Sequence, residues 1–209
     1  MSQICLFQSP GSCSRISLVA LEEIGLDYRA EQVLLARGDQ NNNGFRAINP
    51  KGKVPVLMVD DRVLTETIAI LVYLSRRFPQ AELLPTADGW AEISALSLLS
   101  WCATGMHPAI TRLRHPQKFC GLTAAHDDIR KLADRELRLQ LQIAEQRLDS
   151  QPWIATSHWS IVDTYLAWIW GRSLDAGIQA SDFPNIAEHH ARSMARPSSQ
   201  RALARETGP

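Results

Sequence analysis

The chain has 209 residues, 45% of them hydrophobic, and its 22 Lys and Arg are matched by 22 Asp and Glu. That length allows one large domain or two small ones, and zero formal charge argues against broad electrostatic binding to nucleic acid or to an anionic membrane. The four cysteines, Cys5, Cys13, Cys102 and Cys120, are widely spaced with no CxxC pair, which predicts reduced thiols in a cytoplasm. No secretory signal is visible, and no apolar run is long enough to span a bilayer.

Residues 3–7 read as a short buried strand, and the turn residues Gln-Ser-Pro-Gly-Ser at 8–12 as a loop. Ile16, Val19, Ala20 and Ile24 recur at helical spacing, with Gly25 as the stop. Tyr28 to Leu35 has strand character centred on Val33-Leu34-Leu35, and the polar stretch from Arg37 to Gly44 reads as a surface segment. Val54 to Val59 forms a strand, Asp60-Asp61 a turn and Arg62 to Leu64 a hairpin partner. Thr67 to Phe78 forms a helix ending before Pro79. The order β-α-β, then β-β-α, predicts an α/β layer whose first two strands are parallel and last two antiparallel.

The character changes across Pro79 to Gly89, and no strand is predicted after it. Trp90 to Leu113 carries a helical stripe through Ile93, Leu96, Leu99 and Trp101, and Pro108 is predicted to end or kink that helix. Asp127 to Leu148, with Leu132, Leu139, Ile143 and Leu148 among charges, reads as an amphipathic, solvent-facing helix. Ser160 and Asp163 form a variant capping box opening a helix, Ile161 to Ala176, that is apolar nearly all round and so central to the second domain. Two more helices open at Phe183-Pro184-Asn185 and Arg196-Pro197. The resulting division is residues 1–79, a linker at 80–88 and an all-helical domain at 89–209.

The organising stretch is Asn49-Pro50-Lys51-Gly52-Lys53-Val54-Pro55, followed by Thr65-Glu66-Thr67. A cis bond before Pro55 would expose the Val54 main chain to an extended, peptide-like ligand. Glu66-Thr67 sets a carboxylate, a hydroxyl and orphan N–H groups at a helix start, suited to an amino-acid head group. These segments, with Ser9-Pro10-Gly11-Ser12-Cys13-Ser14, Ser160-Ile-Val-Asp163, Phe183-Pro184-Asn185 and Arg196 to Leu203, resemble the soluble glutathione transferases across nearly the whole chain. The likeness is greatest to the bacterial, cysteine-containing beta-like group. The resemblance implies a thioredoxin-like N-terminal domain, an all-helical C-terminal domain, a homodimer and a role in detoxification.

It also implies site residues. Glutathione, as co-substrate, would lie with its cysteinyl backbone on Val54 beside cis-Pro55. Its γ-glutamyl group would sit on Glu66 and Thr67, with Lys53 or Arg37 near its glycine carboxylate. In the beta-like group the motif cysteine faces the glutathione sulfur, which assigns that part to Cys13; Ser12, Ser14 and Ser9 are alternative hydroxyl donors at a helix start. His107 matches a histidine that lines the group's active site, although Pro108 follows it here where the group has lysine. Trp101, Met106 and Arg112 are candidate walls for a small hydrophobic electrophile, and Cys102 and Cys120 are read as packing. No metal-ligand spacing is present among the histidines and cysteines, and the adjacent His189 and His190 would point apart on a helix. Three functions follow: conjugation of glutathione to an electrophile, glutathione-dependent thiol-disulfide exchange through Cys13, or non-catalytic ligand binding on the same fold.

Overall fold

A computed structural model describes residues 3–85 and 89–208. The chain divides into two compact units, Met1–Pro85 with Ala195–Pro209, and Thr86–Met194. The first contains β1 (Ile4–Gln8), α1 (Ser14–Ile24), β2 (Arg29–Gln32), α2 (Asn43–Ile48), β3 (Val56–Val59), β4 (Arg62–Thr65) and α3 (Thr67–Arg77). Its sheet runs β2-β1-β3-β4, with β1 and β2 parallel and the β1–β3 and β3–β4 pairs antiparallel. This is the expected thioredoxin-like α/β layer.

Strand alternation decides what each face of the sheet holds. Leu6 and Leu57 are directly opposite one another in the ladder and fully buried, on the side where α1 packs against β1 and α3. On the other side, Phe45 of α2 packs with Val33 and Val56, and Phe7, Ile48 and Val54 close around them. Truncating a buried leucine such as Leu6 to alanine costs about 2–5 kcal/mol.

Several boundaries differ from the sequence reading. Strand β2 stops at Gln32, because Asp39 accepts the Leu34 N–H at 3.0 Å and the chain turns into 3₁₀ structure at Leu35–Arg37. The polar segment ends in α2, capped by Asn42, whose Oδ1 accepts the Phe45 N–H at 2.7 Å. The expected linker at 80–88 is not a uniform spacer. Pro79–Ala81 makes a 3₁₀ turn, Leu83 and Leu84 are buried, and 86–88 lie outside the described residues.

The second unit is helical: α4 (Gly89–Trp101), a π-helical turn (Cys102–Met106), α5 (His107–Arg114), α6 (His126–Leu148), α7 (Ile161–Asp175) and α8 (Pro184–Ala195), which ends at the unit's edge. Pro108 does not end the helix. It sits in the first turn of α5, and the π turn, in which the His107 N–H reaches Cys102 O, lets the chain run on past it. Helix α7 is the buried centre, as its all-round apolar sequence predicts, with Trp170 set edge-on to Phe183 at 5.9 Å. On α6 the stripe is rotated from the leucines first singled out. Ala133, Leu137, Leu141, Ala144 and, of the residues first named, Leu148 are buried, whereas Leu132, Leu139 and Ile143 are exposed. Ile93 of α4 is likewise exposed, and Ala95 and Leu99 face inward.

The last helix, α9 (Pro197–Thr207), was expected in the helical domain but clusters with the first unit. It packs along α1. Glu22 of α1, almost buried, accepts from Arg201 Nε at 3.0 Å, Arg205 Nε at 2.8 Å and Tyr28 Oη at 2.7 Å, while Arg196 pairs with Glu23.

Candidate functional site

The loop from Ser9 to Cys13 joins β1 to α1, and Cys13 occupies the cap position of the helix. Ser14 is fully buried and pins this loop: its Oγ accepts the Ser9 N–H at 3.0 Å and lies 2.6 Å from Ser12 Oγ. Ser9 is buried too, with its Oγ 3.4 Å from the Leu35 N–H. Cys13 is half-buried and its Sγ donates to Val54 O at 3.8 Å.

Burial pushes the Cys13 thiol up to about 11, against smaller opposing effects of the Thr67 hydroxyl and the Lys53 charge; the Glu66 charge adds to the rise. The thiol is therefore protonated at neutral pH and acts as a hydrogen-bond donor. A helix start alone would have favoured the thiolate; here desolvation outweighs it.

The Val54–Pro55 bond is cis. Val54 lies just outside β3, its side chain held against the Phe45 cluster, and no backbone carbonyl among the described residues takes its N–H. The loop before it is braced by Asn49, almost buried, whose Nδ2 donates to Lys53 O at 2.7 Å and whose Oδ1 accepts the Lys51 N–H at 3.2 Å. Gly52 at φ +60 packs so closely that a Cβ would meet Gln40 O at 3.0 Å, so a side chain there would displace the loop.

Glu66 precedes α3 at φ +72, a conformation that a side-chain-bearing residue holds at a cost of order 1–3 kcal/mol and that concentrates at ligand sites. Its carboxylate turns outward to Lys51 Nζ, which also donates to Thr65 Oγ1 at 2.7 Å, and makes no capping bond to α3. The first-turn N–H groups of α3 thus start without a side-chain cap, beside the buried Thr67.

The first unit therefore brings together Ser12, Cys13, Ser14, Lys53, Val54, Pro55, Glu66 and Thr67. Lys53 and Arg37 are exposed, with Arg37 closing a 3₁₀ turn. Two residues that sequence reasoning missed are Asn49 and Lys51. Both lie in the organising stretch but were given no role there, and nothing in the sequence pairs Lys51 with Glu66.

In the second unit, His107 is half-buried, its Nδ1 3.1 Å from Tyr165 Oη and its ring edge-on to Trp168 at 4.7 Å. Trp101 donates to Gln140 and Arg112 to Glu136, the latter at 2.6 Å. Met106 is fully buried, so it packs the core rather than walling a cavity. Cys102 is buried, which drives its thiol up to about 12, and Cys120 is half-buried. His189 and His190 do point apart, to Asp163 Oδ1 at 2.9 Å and to Ala167 O at 3.0 Å.

The pattern described as "Glutathione S-transferase, N-terminal domain" matches residues 11–77, and that described as "Glutathione S-transferase, C-terminal domain" matches 101–197. The chain is 30% identical over 203 residues to glutathione S-transferase GstA of Escherichia coli O157:H7, covering 96% of this chain and 98% of that one. It is 27% identical over 194 residues to the disulfide-bond oxidoreductase YfcG of Escherichia coli K12, covering 88% and 86%. Among solved structures, a beta class glutathione S-transferase of Sphingomonas chungbukensis superposes with a TM-score of 0.86 at 32% identity, covering 97% and 98% of the two chains. A glutathione transferase homologue from Sulfitobacter, with bound glutathione, superposes with a TM-score of 0.88 at 27% identity, covering 96% and 97%.

Proposed function

This chain belongs to the glutathione S-transferase family, and from that premise we propose that it conjugates glutathione to a small hydrophobic electrophile. The observation that carries the reading is the convergence of Cys13 Sγ, the Val54 main chain and the Glu66–Thr67 helix start in one unit. Glutathione would pair its cysteinyl main chain with Val54 beside Pro55. Its γ-glutamyl carboxylate would take the first N–H groups of α3 and the Thr67 hydroxyl. Its ammonium would take Glu66, in exchange with Lys51, and Lys53 would lie near its glycine end.

The protonated Cys13 thiol then donates to the glutathione sulfur, which favours that sulfur as thiolate. With a chloronitroarene, the thiolate attacks the ring carbon bearing chlorine, a carbon–sulfur bond forms and chloride leaves; the glutathione thiol proton goes to solvent. Ser12 and Ser14 hold the loop, since the Ser14 hydroxyl is buried and bonded within it. His107, expected from the resemblance to line the acceptor pocket, has its ring fixed within the helical unit by Tyr165 and Trp168.

The second reading, glutathione-dependent disulfide reduction through Cys13, has the likeness to YfcG in its favour. It needs a thiolate at Cys13, which the raised pKa opposes at neutral pH. A cytoplasmic homodimer accompanies either reading. Exposed Trp90 and Ile93 on α4, and Leu132, Leu139 and Ile143 on α6, are apolar surface suited to a second copy. No described helix is long and apolar enough to cross a membrane.

Conjugation of a chloronitroarene and reduction of a mixed disulfide, assayed in parallel on the native protein, Cys13→Ala and Cys13→Ser, separate the readings. Conjugation that falls but survives in both variants supports the first. Loss of reductase activity alone supports the second, and intact glutathione binding without turnover supports a carrier.

A further inference from the structure

Glu206, near the end of α9, is separated from the Ser9–Cys13 loop by almost the whole chain, yet its carboxylate is spent on that loop. It is 1% exposed. Its Oε1 accepts the Gly11 N–H at 3.0 Å, and its Oε2 accepts from Arg15 Nε at 3.0 Å and Arg15 Nη2 at 2.6 Å. Gly11 and Arg15 bracket Ser12, Cys13 and Ser14, so one carboxylate grips both sides of the segment that carries the donor. Gly11 adopts φ +73, a turn whose amide direction is fixed by what accepts it.

Docking α9 does not itself call for this carboxylate. The helix is already tied to the far end of α1 through Glu22 with Arg201 and Arg205, and Glu23 with Arg196. A buried carboxylate is costly to desolvate and is retained where charge-assisted bonds repay it. Here those bonds all go to the loop amide and to the arginine just past the donor.

Resting on the reading of Cys13 as the thiol donor, we propose that Glu206 is a positioning residue that holds the Gly11–Ser14 segment, and with it the Cys13 sulfur, in register with Val54. It touches no ligand and acts through the Gly11 amide and Arg15. The last turn of α9 then serves to position the donor loop.

The test is the rate at which iodoacetamide labels Cys13 at neutral pH, resolved from the other cysteines by mass spectrometry. It is run beside glutathione KM and kcat on the native protein, Glu206→Ala, Glu206→Asp, Glu206→Gln and Arg201→Gln. Glu206→Ala, and Glu206→Asp, which keeps the charge for Arg15 but falls short of Gly11, should label about tenfold faster and raise KM by a similar factor. Glu206→Gln keeps an acceptor for Gly11 and should stay within about threefold of native. Arg201→Gln weakens the α9–α1 ion pairs away from the loop and should leave labelling and KM unchanged, even where it lowers Tm. The proposal is overturned if Glu206→Ala, or Glu206→Asp should the alanine variant not fold, labels at the native rate. It is equally overturned if Arg201→Gln labels as fast as they do. Labelling needs no glutathione, so a native protein that ignores glutathione defeats the transferase reading and leaves this inference to be judged separately.

Discussion

Two helix starts in this molecule solve the same problem in opposite ways. The start of α7 is closed from within by a capping box: Asp163 accepts from the Ser160 N–H at 2.8 Å, the Ser160 hydroxyl at 3.2 Å, the Ile154 N–H at 2.7 Å and His189 Nε2 at 2.9 Å, all buried. At the start of α3 the cap residue Glu66 holds a positive φ, makes no capping bond and sends its carboxylate outward to Lys51. A closed helix start contributes its hydrogen bonds to folding. An open one holds its N–H groups in reserve for a ligand that brings its own carboxylate.

The contrast is broken most severely by emptying the closed end. Asp163→Ala leaves four donors short of their acceptor and should cost about 3–5 kcal/mol in chemical denaturation, with glutathione KM unchanged in the molecules that remain folded. Equal loss of glutathione affinity would mean that the two starts are not separable in function. At the open end the effects should reverse. Glu66→Ala should weaken glutathione binding by about 1.5–3 kcal/mol in calorimetry, the range for hydrogen bonds to charged groups. Its stability should stay within about 0.5 kcal/mol of native, as for an exposed side chain.

Cys13→Ala should lower conjugation about tenfold through loss of one hydrogen bond to sulfur. The native thiol should be alkylated slowly at pH 7 and faster as pH rises toward about 11, because burial favours the protonated form. The same raised pKa makes the thiol's contribution to stability full at neutral pH and lost as pH rises from the thiol's ordinary value of 9.0 through about 11. A labelling rate already at its plateau at pH 7 would favour the disulfide-exchange reading. The mildest change is Ser160→Ala, expected to cost about 1 kcal/mol in Tm or denaturation measurements and nothing in activity, because Asp163 still holds the Ser160 and Ile154 amides.

What could be read from the sequence follows the same division. The Val54-Pro55 turn, the Glu66-Thr67 helix start and the capping box are each made by neighbours in the chain, so short motifs announce them. The alternation of strand and helix predicted the first unit's sheet, and the unbroken apolar run predicted α7 as a core helix. Features made by distant residues stayed hidden. Lys51 meets Glu66 across fifteen positions, and Glu206 reaches Gly11 across 195. No local pattern encodes either contact.

Pro108 misled for a related reason. Its effect on a helix depends on whether the preceding turn widens, and the π turn at Cys102–Met106 does. On α6, charges flank the exposed leucines and the buried stripe alike, so periodicity without a partner helix did not choose between them. The Cys13 thiol was read from its place at a helix start, whereas the degree of burial that dominates it is set by chain segments far away in sequence.

The central claim is that glutathione lies along the main chain at Val54 and across the start of α3. Titrating reduced glutathione into ¹⁵N-labelled protein tests it most directly, with the backbone amides followed one by one. The amides of Val54 and Thr67 should shift together and saturably, and the shift should weaken in Glu66→Ala but not in Ser160→Ala. Amides that stay still at millimolar glutathione, or that move only in residues outside the first unit, would contradict it.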